Sequence, residues 1–135
     1  MKASNTIIPI AFLIWNLIGV AALGTQWNMD LDELAMQDPY QAEMFAQMPT
    51  WAWAAYAIAV SSGFIGALLL VFGKKLCIAF FLLSLTAVLV QFGYAFLMTD
   101  LLAVKGVMAA AFPAVIIVLA IVQYLYARNK AATLQ

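Results

Sequence analysis

Asn16, Tyr56, Ser62, Gln91 and Tyr94 are the residues of this chain with chemistry to offer, because each sets a hydrogen-bonding group inside a long apolar run. An amide without a partner in hydrocarbon is costly, so Asn16 and Gln91 must face protein rather than lipid. Asn16 and Ser62 fall at a similar depth, and Tyr56, Gln91 and Tyr94 share a level in the outer half. Together these groups could line a neutral polar cavity. Amides and phenols donate and accept hydrogen bonds without carrying charge, which suits an uncharged polyhydroxyl solute such as a sugar. The same residues could equally act as glue between helices, each interhelical hydrogen bond contributing ~0.6–2 kcal/mol.

The absences narrow the chemistry further. The chain has no histidine, which removes the commonest metal ligand together with the commonest general base. No Asp, Glu, Lys or Arg lies inside any apolar run, and intramembrane ionisable groups are what mark ion pathways and proton relays. No nucleophile, metal or phosphate-loop motif is present. The reading is therefore non-catalytic, with no cofactor and no metal. Cys77 is the only cysteine, so it forms no internal disulfide and reads as a small packing residue.

The elements that must position these groups are helices in lipid. Of 135 residues, 67% are hydrophobic and 9% charged, and the mean hydropathy is +1.03. A soluble domain is about half apolar and about a quarter charged, so lipid is the solvent here. The apolar runs cover residues 7–24, 51–72, 76–98 and 107–127. Each has about the ~17–25 residues a helix needs to cross ~30 Å of hydrocarbon. These lengths predict an all-α integral membrane protein, a single domain built as an antiparallel bundle of four transmembrane helices. Asn5 or Thr6 can cap the first helix, with Pro9 near its first turn. That run is too long for a signal peptide, and the segment after it lacks a small-x-small cleavage site, so it is read as retained. Gly73-Lys74-Lys75 is a short turn that makes the second and third helices neighbours. Pro113 predicts a kink in the fourth, leaving the Ala109 carbonyl without its usual partner.

The loop 25–50 carries Asp30, Asp32, Glu33, Asp38 and Glu43 with no lysine or arginine. Asp30 and Glu33 have capping-box spacing, and Asp38-Pro39 looks like a second cap with proline at the first helical position. Two short amphipathic helices lying flat on the outer surface are expected. Lys2, Lys74, Lys75, Arg128 and Lys130 fall on the opposite side, where only Lys105 is missing from the basic set. The positive-inside rule then puts both termini in the cytoplasm, in a bacterial inner membrane. Trp27, Trp51 and Trp53 mark the outer interface, and Tyr124 and Tyr126 the inner one. With no basic patch, no nucleic-acid partner is expected. In the second helix, Ala55, Ala59, Gly63 and Gly66 form a small-residue stripe. Such a stripe permits close helix packing, within the chain or as the seam of a homo-oligomer.

The stretches Trp15-Asn16-Leu17-Ile18-Gly19-Val20-Ala21, Pro49-Thr50-Trp51-Ala52 and Gly63-Phe64-Ile65-Gly66-Ala67-Leu68-Leu69-Leu70 carry a resemblance. The chain resembles small bacterial four-helix inner-membrane proteins often labelled sugar transporters. The resemblance covers mainly the first two helices and the start of the third. It implies the four-helix topology and a sugar-related activity. The chain lacks the proline-glutamine motif of the small three-helix sugar carriers.

Taken together, the residues predict an accessory or binding module that engages the bilayer and a membrane-protein partner or hydrophobic ligand. The alternative is a facilitator of a neutral small solute, which would have to work as a homo-oligomer because four helices rarely enclose a site and two gates. A lipid- or quinone-handling protein is a third expectation.

Overall fold

The computed structural model describes residues 3–134, and every regular element among them is helical. Four helices are long and apolar enough to span a membrane: α1 (Ala3–Trp27), α4 (Thr50–Val71), α5 (Cys77–Leu97) and α7 (Ala111–Asn129). Between α1 and α4 lie two short helices, α2 (Leu31–Gln37) and α3 (Pro39–Gln47). A third short helix, α6 (Leu101–Lys105), and a 3-10 turn (Val107–Ala110) lead into α7.

Local chemistry sets the short elements. Asp30 caps α2 by accepting from the backbone N–H groups of Asp32 and Glu33. Asp38 caps α3 by accepting from Gln41 N–H, and Pro39 occupies the first turn. The α4–α5 turn is a Schellman motif. Lys74 N–H donates to Leu69 O at 2.8 Å and Gly73 N–H to Leu70 O at 3.0 Å, while Gly73 takes φ +73°.

Two expectations about helix ends are corrected. The first helix begins at Ala3, so Asn5 and Thr6 lie within it rather than capping it, and Pro9 is its seventh residue. Lys2 lies outside the described residues. The fourth helix begins at Ala111 rather than 107, because Gly106 takes φ +83° and the next residues form the 3-10 turn. Pro113 is then the third residue of α7. A first-turn N–H has no intrahelical acceptor, so the proline interrupts nothing and the anticipated interior kink has no basis.

Around the bundle, α1 packs on α4, α4 on α5 and α5 on α7. The tightest seam is α4–α5, and the small-residue stripe makes it so. Ala55, Ala59, Gly63 and Gly66 are all buried inside the chain. A Cβ added at Gly66 would come within 2.9 Å of the Phe81 ring, so that ring lies directly on the α4 backbone. Lipid offers no hydrophobic drive between helices, and close contact of this kind supplies dispersion energy instead. With the stripe consumed internally, it presents no free seam to a second copy.

The two ends of the bundle differ. At the end holding Lys74, Lys75, Arg128 and Lys130, Ala67, Leu70, Cys77, Phe81 and Ala127 form a buried core. Phe12 of α1 and Tyr126 of α7 meet edge to face there, with centroids 5.5 Å apart. Toward the acidic end, α1 and α7 make no backbone packing comparable to the other seams, and the interior is hollow.

Candidate functional site: a cavity in the acidic half of the bundle

A cavity of about 730 Å³ occupies this hollow half, with mainly apolar walls. Ligand pockets commonly measure ~300–1,000 Å³ and combine apolar walls with a few placed polar groups. Asn16, Ser84 and Gln123 form the floor, Tyr56, Gln91 and Tyr94 stand in the walls, and Gln41, Met44 and Phe45 of α3 with Met48 just after it form the roof.

The floor is a hydrogen-bonded plug. Asn16 Nδ2 donates to Gln123 Oε1 at 2.5 Å and to the Phe12 carbonyl at 2.7 Å. Asn16 and Gln123 are 7% and 4% exposed. Ser84 Oγ donates to the Ala59 carbonyl at 2.7 Å, tying α5 to α4. Gly63 sits beneath these groups because nothing larger fits: a Cβ there would lie 2.3 Å from Asn16 Oδ1 and 3.1 Å from Ser84 Oγ. The plug joins α1 to α7 and closes the cavity toward the basic end.

Tyr94 packs edge to face against Trp51 at 5.3 Å, and Tyr56 stacks on Trp53 at 6.2 Å. Trp53 also contacts Trp27 and Phe45, so two of the three expected outer tryptophans gather into a cluster against the roof, while Trp51 pairs with Tyr94 instead. Gln91 is different. Among the described residues, its Oε1 is the buried side-chain nitrogen or oxygen atom left without a hydrogen-bond partner. A buried, unmet acceptor costs ~1–3 kcal/mol and calls for an explanation.

Two polar links fasten the roof. Lys105 Nζ donates to both carboxylate oxygens of Asp38 at 2.9 Å. Tyr40 Oη donates to Asp100 Oδ1 at 2.7 Å. Both links connect α3 or its cap to α6 and the residue before it. The Lys105 ammonium holds the Asp38 carboxyl below the usual carboxylate range, with help from Gln41 N–H. The bond to Asp100 pushes the Tyr40 phenol up to about 12, since ionising it would abolish the donor and face a carboxylate.

Asn16, Tyr56, Gln91 and Tyr94 thus come together around one space. Ser62 does not: its hydroxyl turns back to the Ile58 and Ala59 carbonyls of its own helix, away from the cavity. Ser84, Gln123 and Lys105 are polar contributors that the sequence reading left out of the cavity. Gln123 is an amide inside the fourth apolar run, but it stands beside Tyr124 and near Tyr126, a pattern that reads as an interface belt rather than as a cavity wall. Among the described residues, no three His, Cys, Asp or Glu side chains gather as a metal site would require. Comparison with protein-family models, with curated proteins and with solved structures gives no match to this chain.

Proposed function

We propose that this protein is a non-catalytic binding module of the membrane whose cavity receives a hydrophobic molecule. The observation that carries this reading is the hollow acidic half of the bundle, about 730 Å³ of mainly apolar space with neutral polar groups in its walls. A bundle of this size that served only to span the bilayer would gain from filling that space, because each lost contact forfeits dispersion energy. Native mass spectrometry of the protein released from nanodiscs tests it. Wild type should retain a bound molecule that Ile116→Trp, which fills the cavity from α7, does not. A wild-type spectrum of bare protein, indistinguishable from Ile116→Trp, would sink the reading.

The charge pattern supports a bacterial inner membrane with both ends of the chain in the cytoplasm. Lys74, Lys75, Arg128 and Lys130 share one end of the bundle, while Lys105, at the other, is spent on Asp38. A C-terminal reporter active only outside the cell would refute this placement.

Facilitated passage of a neutral solute such as a sugar is the second reading. The uncharged polar groups Asn16, Tyr56, Gln91 and Tyr94 around one space favour it. Any such path must part Asn16 from Gln123. Solute uptake into liposomes that changes in Asn16→Leu would support it, and its absence in wild type would end it.

A further inference from the structure

The geometry points to a neutral lipid alcohol as the cavity's ligand, entering sideways from the bilayer between α1 and α7 with its hydroxyl donated to Gln91 Oε1. This rests on the binding reading above and names the ligand class for that site. The route follows from the packing. α1 and α7 are joined at the basic end by Phe12–Tyr126 and Asn16–Gln123, and beyond these contacts their backbones stay apart. Ile18 of α1, Phe112 of α7 and Met108 just before it all line the cavity, yet they are 58%, 66% and 81% exposed. Residues that face both the interior and the surroundings lie at a mouth. This mouth sits among lipid-facing residues of two spanning helices, so what enters by it comes from the membrane.

The head group follows from the walls. Gln91 Oε1 is an acceptor with no donor, so a fitting ligand brings an O–H or N–H. Among the described residues, the charged side chains lining the cavity are Asp38 and Lys105 at the roof, already paired with each other. A phosphate or carboxylate head would have to leave water for a place with no free cation, and a cationic head with no free anion. A hydroxyl meets neither cost. The apolar tail then lies along Val60, Val88 and Ile116 toward the mouth.

The test uses the full chain in nanodiscs and a long-chain primary alcohol bearing a diazirine on its tail. Competition by the unlabelled alcohol is compared with its methyl ether, which keeps shape and acceptor but lacks the donor, and with a phosphocholine lipid. One neutral hydrogen bond corresponds to about a three- to tenfold preference. The expected result is labelling at the α1–α7 mouth, competed three- to tenfold better by alcohol than by ether, and not by the phosphocholine. Gln91→Leu should bring alcohol and ether to parity while labelling persists, and Ala22→Phe, at the mouth, should reduce labelling altogether. Equal competition by alcohol and ether in wild type overturns the head-group assignment, though the hydrophobic-binding reading would stand. Labelling spread over outward residues such as Leu89 and Val118, with none in the cavity, overturns both.

Discussion

Replacing Gly63 with alanine puts the cavity floor under direct strain. The new Cβ would meet Asn16 Oδ1 at 2.3 Å, Asn16 Cγ at 3.3 Å and Ser84 Oγ at 3.1 Å. The first distance is far inside van der Waals contact, so the Asn16 amide must swing away. It then loses its bond to Gln123 across the α1–α7 gap. A bond of this kind within a membrane contributes ~0.6–1.7 kcal/mol. Overpacking a fitted interior adds ~1–3 kcal/mol. Alanine recovers ~0.8–1.0 kcal/mol through its better helix propensity. The expected net loss is about 1–4 kcal/mol. Reversible unfolding in mixed micelles, followed by circular dichroism, measures it. Gly93→Ala is the internal control: it lies within α5, nothing approaches its would-be Cβ within 4 Å, and only the propensity gain should appear. In an Asn16→Ala background both Asn16 contacts are gone and only the 3.1 Å approach to Ser84 Oγ remains, so alanine at position 63 should then cost much less. A Gly63→Ala protein as stable as Gly93→Ala would refute the packing argument.

The roof links predict behaviour at both ends of the pH scale. Asp38 is depressed below its ordinary 3.8, so its link to Lys105 is intact above that value and is lost as pH falls through the lower folded value. Amide exchange in α2 and α3 should therefore quicken below about pH 4, and Lys105→Gln should quicken it already at neutral pH; unchanged exchange in that variant would dismiss the link. Tyr40 runs the other way: its raised value means the bond to Asp100 is whole below pH 10 and is lost as pH climbs toward about 12. Tyr40→Phe should erase that alkaline loosening. Pro113→Ala should leave stability within about 0.5 kcal/mol, since a first-turn proline removes no helix bond; a gain of several kcal/mol would restore the interior kink that the helix boundary denies.

Some of this architecture is written locally and was legible from residues alone. Asp30 and Asp38-Pro39 announce α2 and α3 because a cap and the backbone N–H donors it serves lie within three residues. The spans announce themselves because length and hydropathy suffice. The cavity was only half legible. α4 is apolar on every side, so no polar stripe tells which way each residue turns, and nothing in the sequence shows that the Ser62 hydroxyl binds its own helix instead of facing the cavity. Gly106 hid the start of α7, because an apolar run looks alike whether it coils as 3-10 or α. The Asp38–Lys105 link joins residues 67 positions apart, and no spacing rule reaches that far.

The clasp between Asn16 and Gln123 has a temporal meaning. Its two halves stand 107 positions apart, so α1 is synthesised well before α7. Until α7 arrives, Asn16 has only the Phe12 carbonyl of its own helix to hold, and its second donor waits in oil. A chain halted before α7 therefore carries an unmet amide in α1, a chemical mark of immaturity that the arrival of α7 removes.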